Sequence, residues 1–443
     1  MSNLSSKPSL VDRGQAYAMR LITAAGGLEA MKNPTLRARV EKVLYRGAKS
    51  GFKAQTAAGR AFAKKSGSGD PTRPAPTKPR REFNLTPTDD QQMIAEAARE
   101  LADEVLRPAA AQADTDRTLP EEVASQAAAM GMTLLAVPAE LGGVAEERSA
   151  VTSVLVLEEL ARGDMGLAVA IMSSAAVANA LANYGDSAQQ ATFLPAFTDE
   201  KDPATGALAL AEPRPLFDPR KPATTATRQG DNLVLNGTKS LVVGADSADL
   251  FIVSALLDNE PRLIIVQPGT EGLRTSDDPA MGIRAARTGM LHLDNVTVPT
   301  TNILGSTDDH LDAIRRGRLA WAACAVGTGK AALDQLTTYT KERKAFGEPI
   351  AYRQAVAFTV ANIGIEVDAL RLVCLRAAAR LDAGKDASAQ IAHARALAAT
   401  HGVQIGSDAV QLLGGHGFVK EFDNERWYRD LRAAGILEGT LLV

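Results

Sequence analysis

The sequence predicts a multidomain α+β protein in which a small β domain lies between two helical domains. Apolar residues recur at helical spacing in residues 83–206 and again in residues 308–443. Residues 207–307 instead hold short apolar and β-branched runs, which are typical of strands. We therefore expect an N-terminal α-helical domain, a central β barrel or sandwich and a C-terminal antiparallel helical bundle over these three ranges. A basic helical extension with a Pro-rich linker, residues 1–82, precedes them.

The composition is that of an ordinary globular protein, with 45% hydrophobic and 23% charged residues among 443. Cys324 and Cys374 lie in helical apolar patterns, so we expect buried free thiols and a reducing, cytoplasmic location. The five histidines show no metal-ligand spacing, and neither a metal site nor a nucleic-acid ligand is expected. Residues 165–185 are uncharged, but their Ala, Ser and Asn content indicates a buried helix and not a membrane span.

Charge is distributed unevenly along the chain. Residues 1–82 contain 17 Lys/Arg and 5 Asp/Glu, a net charge of +12, while residues 83–443 contain 32 and 47, a net charge of −15. A basic arm on an acidic body predicts contact with an anionic surface or partner. A basic amphipathic helix within residues 1–64 can lie on anionic lipid, which would place the protein at a membrane surface, or it can pack on its own body or on a sister subunit.

Periodicity and turn signals predict the individual elements. Thr86 or Thr88 can cap a first helix that runs on past Leu106. Further helices are expected near 120–130, 148–162, 165–184, 187–198, 308–342, 350–383, 386–413 and 424–434. Strands are expected at 233–235, 241–243, 251–253, 263–266 and 291–298, and Asn236-Gly237 predicts a hairpin turn.

Two features of the C-terminal stretch 411–440 indicate a site. A glycine cluster, residues 414–417, follows an alanine-rich helix, and glycines allow close backbone approach to a ligand. Glu438 lies between apolar residues and Gly439 in the loop after a short helix. A carboxylate in such a place is a candidate for proton transfer, although a Glu after a helix is more often solvated.

Several motifs resemble those of the acyl-CoA dehydrogenase family of flavoproteins, in the family's order across residues 83–443. Arg343 to Ile350 with Gln354 is similar to R-x-x-F-G-x-x-I-x-x-x-Q, and Gln411 to Gly417 is similar to Q-x-x-G-G-x-G. Glu438-Gly439-Thr440 matches the E-G-T that carries the family's catalytic base. Arg318 lies 25 residues before Arg343, as the family's substrate-side arginine does.

The resemblance implies an FAD-dependent acyl-CoA dehydrogenase of fatty acid oxidation that is a homodimer or homotetramer. Glu438 would take the α-proton of an acyl-CoA thioester, a β-hydride would pass to the flavin, and electrons would leave through an electron-transfer flavoprotein. Residue by residue, the resemblance implies substrate contacts at Arg318, Phe217 and Gly439. It implies FAD contacts at Leu210, Ala211, Leu241, Val243, Arg343, Phe346, Gln354, Gln411, Gly414, Gly415 and Thr440.

The chain departs from the family at the flavin-facing positions of the β domain. Ala211 and Phe217 stand where the family's T-E-P-x-x-G-S-D has hydroxyl residues, and Leu241 and Val243 stand at the aromatic and hydroxyl of G-x-K-x-W-I-T. Two alternatives therefore stay open, a non-catalytic scaffold or partner subunit and a flavin oxidase or monooxygenase on the same fold. Family members also continue with a final helix beyond the position of Thr440; we expect it to be absent here, replaced by another segment, or lost by truncation.

Overall fold

A helical part, one mixed sheet and a second helical part follow one another along the chain. The computed structural model describes residues 86–135, 137–144, 148–199 and 203–443. The predicted basic extension lies outside these residues. The order of a helical part, a sheet and a second helical part confirms the predicted α+β fold class.

Helices make up most of the N-terminal part that the structure describes. Its helices are α1 (Asp89–Leu101), α2 (Arg107–Asp116), α3 (Glu121–Ala129), α4 (Ala150–Gly163), α5 (Met165–Tyr184) and α6 (Ser187–Phe197), with short 3₁₀ turns at Met132–Leu134 and Ala139–Leu141. Thr88 caps α1, because its hydroxyl accepts the backbone N–H of Gln91 while the Gln91 side chain accepts that of Thr88. A π-helical turn, Ala102–Leu106, separates α1 from α2, where the sequence predicted one continuous helix.

Helix α5 is the central helix of this part. It is long and apolar enough to cross a membrane, yet 89% of its most apolar 18-residue window is buried inside the protein. Asp164 caps its N-terminus by accepting the backbone N–H of Leu167, and the same carboxylate pairs with Arg426 near the C-terminus of the chain. Helix α5 therefore belongs to the core and ties the two helical parts together.

The β domain is one eight-stranded sheet. Its strands are β1 (Gly206–Ala209), β2 (Thr225–Gln229), β3 (Asn232–Val243), β4 (Leu250–Leu257), β5 (Glu260–Val266), β6 (Leu273–Asp277), β7 (Thr288–Pro299) and β8 (Ile303–Leu304). The strand order is β6-β7-β3-β2-β4-β5-β8, with β1 pairing parallel to β4. Side chains alternate: Leu250 and Ile252 pack against helices, while Phe251 and Val253 fill the interior of the β domain.

The hairpin predicted at Asn236-Gly237 is wrong. Both residues lie inside β3, where the register against β7 shifts at a β-bulge, and the chain reverses instead between β2 and β3. Gly237 has a φ of +154° and an added Cβ would lie 2.5 Å from the Thr224 hydroxyl, so this glycine serves a close approach within the sheet.

Three long antiparallel helices form the C-terminal bundle. They are α7 (Thr307–Glu342), α8 (Gln354–Asp382) and α9 (Ser388–Leu412), followed by the short α10 (Asn424–Leu431) and α11 (Ala433–Ile436). A small hairpin of β9 (Lys344–Ala345) and β10 (Glu348–Pro349) links α7 to α8. At the other end of α8, Asp382 accepts the backbone N–H groups of Ala150 and Val151, which joins the bundle to the N-terminus of α4.

Candidate active site

The segment that carries Glu438 runs between the sheet and the longest helix. After α11 the chain passes beside β1, where Gly439 forms a bridge with Ala209 and the Thr440 N–H donates to the Leu208 carbonyl at 3.1 Å. On the other side, the Trp321 indole N–H from α7 donates to the Gly439 carbonyl at 3.0 Å. The loop that the sequence predicted around Glu438 is therefore held on both sides.

This segment passes so close to β1 that a glycine is required. Gly439 has a φ of +80°, and an added Cβ would lie 2.9 Å from the Leu208 carbonyl oxygen and 3.1 Å from the Leu210 Cβ. On the helix side, an added Cβ at Gly317 would lie 2.9 Å from the Leu441 carbonyl oxygen. Two glycines thus let strand, segment and helix touch, and this contact fixes where the adjacent Glu438 side chain begins.

Two arginines bind the Glu438 carboxylate, which is only 9% exposed. The Arg318 Nε lies 3.0 Å from both carboxylate oxygens, and its Nη2 lies 2.7 Å from Oε1. The Arg395 Nη2 lies 3.3 Å from the same Oε1. Burial lowers the pKa of Arg395, with Glu438 opposing this shift and Arg318 adding to it. Charge-assisted hydrogen bonds thus hold the Glu438 carboxylate, which the sequence singled out by its apolar neighbours.

Arg395 was not predicted from the sequence. It lies on α9 between Ile391 and Ala398, both buried, so it is a charged residue on the stripe that faces the core. That position was a usable signal, because a cation on a buried helix face needs a partner. The partner lies about 40 residues further along the chain, and helical periodicity gives no indication of it.

The β-domain residues expected to face the flavin lie on two neighbouring stretches. Leu210 and Ala211 continue from β1 and are buried beside the Glu438 segment. Leu241 has a φ of +52° in a second bulge of β3, and its N–H donates to Asp278 at 2.9 Å. Val243 is buried and lines a cleft of about 620 Å³ between α3, α5 and β3.

Phe217 lies in the loop that follows Ala211. The side chain is half-buried, with the guanidinium of Arg214 5.5 Å from its ring centroid. Further along this loop, the pKa of Arg220 is raised mainly by hydrogen bonds to Asp218, with a smaller contribution from Glu438. The loop therefore brings positive charge toward the Glu438 side of the β domain.

A second group of predicted residues lines one cavity at the far end of α7. The cavity has a volume of about 310 Å³ and brings together Arg343, Gln411, Gly414 and Gly415. An added Cβ at Gly414 or Gly415 would meet no heavy atom within 4 Å; the φ of +59° favours glycine at Gly414, whereas nothing inside this chain requires a glycine at Gly415. His416, on the cavity rim, lies 3.0 Å from the Tyr339 hydroxyl through its Nδ1.

Phe346 and Gln354 lie outside this cavity. Phe346 is 98% exposed at the tip of the β9–β10 hairpin, and Gln354 is exposed at the first turn of α8. Arg318 and Arg343 are separated by 25 residues of one helix, or roughly 37 Å along its axis. Within one chain, the structure thus brings the predicted residues into two groups, one around Glu438 and one around Arg343.

Comparison with known proteins identifies this arrangement. Three family models match in order, the N-terminal domain of acyl-CoA dehydrogenases over residues 88–201, the middle domain over 207–296 and the C-terminal domain over 309–442. The 3-(aryl)acrylate reductase of Clostridium sporogenes is 33% identical over 374 residues, covering 80% of this chain and 96% of the relative.

Two solved structures share the fold. Butyryl-CoA dehydrogenase from Megasphaera elsdenii superposes with a TM-score of 0.75 at 28% identity, covering 81% of this chain and 96% of the other. A chain of the structure described as the electron transferring flavoprotein of Acidaminococcus fermentans superposes with a TM-score of 0.74 at 28% identity, with the same coverage. The fold and the matched domains define a flavin-dependent oxidoreductase. The chain belongs to the acyl-CoA dehydrogenase family, whose cofactor is FAD.

The residues present fit that cofactor. Open space at Gly414 and Gly415 allows a ligand to approach the backbone, and the adjacent Arg343 supplies a guanidinium suited to a phosphate. In the β domain, the buried apolar residues Leu210, Ala211 and Val243 suit an aromatic ring system better than a charged group.

Proposed function

We propose that this protein catalyses α,β-dehydrogenation of an acyl-CoA thioester, with Glu438 as the base that removes the α-proton. The observation that carries the proposal is the buried carboxylate of Glu438, fixed by Arg318 beside the β1 edge. Bound FAD would supply the hydride acceptor. The butyryl-CoA dehydrogenase of the same fold supports a CoA thioester as substrate.

The chain's own residues prepare the proton transfer. Arg318 orients the carboxylate before substrate arrives, because its guanidinium makes three short hydrogen-bond contacts to the two carboxylate oxygens. The segment from Glu438 to Thr440 cannot move toward β1 or α7, because Gly439 and Gly317 already bring these elements into contact. We propose that the backbone N–H of Glu438 donates to the thioester carbonyl and so acidifies the α-carbon.

We further propose a homo-oligomer in which Arg343, Phe346, Gln354, Gln411, Gly414 and Gly415 contact the FAD of a neighbouring subunit. Arg318 lies in the first half of α7 and Arg343 caps its C-terminus, and this separation of roughly 37 Å supports contacts of the two groups with different FAD molecules. We also propose that the electrons pass to an electron-transfer flavoprotein, and the match to the Acidaminococcus fermentans structure supports this.

Anaerobic reduction of the bound flavin tests the proposal. The purified protein should show a visible flavin band that bleaches when butyryl-CoA, octanoyl-CoA or palmitoyl-CoA is added without oxygen. Glu438→Gln should keep the band but lose bleaching by at least about 100-fold, because it removes the proton acceptor. Normal bleaching by this variant would contradict the role of Glu438.

The same measurement separates the alternatives raised by the substituted residues Ala211, Phe217, Leu241 and Val243. Protein without a flavin band would contradict the dehydrogenase and support a scaffold. A band that reoxidises rapidly in air after bleaching would support an oxidase or monooxygenase.

Flotation of the full chain and of a chain lacking residues 1–64 with anionic liposomes tests membrane contact, and equal flotation would exclude it.

A further inference from the structure

Arg395 makes all three of its hydrogen bonds to one short stretch of chain. Its Nη1 donates to the Ala434 carbonyl, and its Nη2 donates to the Leu437 carbonyl at 2.8 Å and to Glu438 Oε1 at 3.3 Å. Its side chain is 13% exposed, so this guanidinium depends on these acceptors for the solvation it has lost. Ala434 and Leu437 lie at the end of α11, immediately before the candidate base.

The two arginines on Glu438 differ in what they hold. The bonds of Arg318 go to the carboxylate, and its side chain is 29% exposed. Arg395 lies deeper and bonds mainly to the backbone. Helix α9 also contacts this turn through Ala399, because an added Cβ at Gly435 would lie 2.9 Å from the Ala399 Cβ. The turn is thus fixed to α9 at two points one helical turn apart.

We infer that Arg395 is a positioning residue that anchors the backbone of residues 434–438. Arg318 orients the carboxylate in the resting site, and a base that is to meet an α-carbon has to turn part of its carboxylate away from that arginine. Arg395 keeps the start of the side chain in place while this happens. This inference rests on the proposed role of Glu438 as the base.

An arginine suits this task better than a lysine. The planar guanidinium reaches two carbonyl oxygens and a carboxylate oxygen at once, whereas an ammonium group offers the charge from a single point. Arg395→Lys therefore keeps the positive charge near Glu438 and loses part of the anchor, and Arg395→Gln removes both.

Single-turnover reduction of the FAD-loaded enzyme tests the inference, with the acyl-CoA that bleaches the wild type fastest. Arg395→Gln should slow flavin reduction by about 100-fold with little change in the apparent substrate Kd, because a displaced base costs rate and not binding. Arg395→Lys keeps the positive charge and part of the anchor, so it should recover part of the rate, again with little change in the apparent substrate Kd.

Arg371→Gln is the matched control, since it removes an arginine bonded to the buried carboxylate of Glu158. It should lower the melting temperature without changing the rate of flavin reduction or the apparent substrate Kd. Wild-type reduction in Arg395→Gln, a loss of rate matched by an equal loss of substrate affinity, or a loss in both Arg395 variants that follows the melting temperature would overturn the inference. Normal reduction by Glu438→Gln would instead overturn the proposed function, so the two failures are distinguishable.

Discussion

Glu438 and His310 are two buried titratable side chains near the N-terminal half of α7, and they differ in how many of their polar atoms have a hydrogen-bond partner. At Glu438 a carboxylate meets two guanidinium groups, and its charge is fully compensated. At His310, near the start of α7, the Nε2 lies 2.8 Å from the Ser254 hydroxyl, while the buried Nδ1 has no hydrogen-bond partner in the described part of the chain. The first arrangement favours a charged group, and the second favours a neutral one.

The environment of His310 predicts acid sensitivity. Burial lowers the pKa of His310 from 6.5 to about 4. Between these values the unfolded chain binds the proton and the folded chain does not, so stability falls as pH drops through this window, by up to about 3 kcal/mol. In His310→Gln the melting temperature, followed by circular dichroism, should therefore fall less between pH 7 and pH 5 than in the wild type.

The exposed His393 on α9 provides the control for this measurement. His393→Gln should keep the wild-type dependence of the melting temperature on pH. If His310→Gln shows the wild-type dependence as well, the acid sensitivity arises elsewhere and a neutral buried His310 does not contribute to it.

The sequence predicted those elements, above all the helices, whose formation depends on residues close together in the chain. The long helices α5, α7, α8 and α9 were predicted to within a few residues, because each is a long, helix-favouring apolar stretch bounded by capping or turn residues. The bulges in β3 were missed, because a bulge depends on the partner strand β7 and on the approach of Thr224. For the same reason, the contact between β1 and the Glu438 segment could not be read from spacing in the sequence.

The turn after α9 offers a test in which cofactor binding and stability separate. An added Cβ at Gly415 meets no heavy atom within 4 Å, and the φ of Gly415 is not positive, so Gly415→Ala should leave the free energy of unfolding of the cofactor-free protein within about 0.5 kcal/mol of wild type. The methyl group would occupy the space proposed for FAD. We therefore expect FAD affinity, measured by flavin fluorescence, to fall at least about 10-fold, equivalent to about 1.4 kcal/mol.

Gly364 in the middle of α8 is a suitable comparison, since an added Cβ there makes only ordinary contacts with Leu333. Gly364→Ala should retain FAD as the wild type does, with a small gain in stability from helix propensity. Unchanged FAD affinity in Gly415→Ala would argue against cofactor binding at this turn.

For the whole molecule, the sequence pointed to both groups of site residues through motifs, and the separation of those groups appears only in the folded chain. Arg318 lies in α7 and Arg343 caps its C-terminus, which places them roughly 37 Å apart along the helix axis. The missed residue Arg395 illustrates the same limit, since its role follows from the packing of α9 on α11. Motifs give residue identities, and tertiary packing decides which of them share a site.

The surface of the bundle predicts association through α8. This helix buries Ile363, Val367, Leu370 and Cys374 in the core, and on its opposite side it exposes Phe358, Ile365 and Leu372 at seven-residue spacing, with 59%, 66% and 47% exposure. A triple variant with serine at these three positions should elute as a monomer in size-exclusion chromatography with light scattering. It should also lose FAD, because the proposed neighbour no longer supplies Arg343 and Gln411. Met93→Ser, which removes another exposed apolar side chain, should keep the wild-type mass; an oligomer of unchanged mass in the triple variant would show that another surface holds the subunits together.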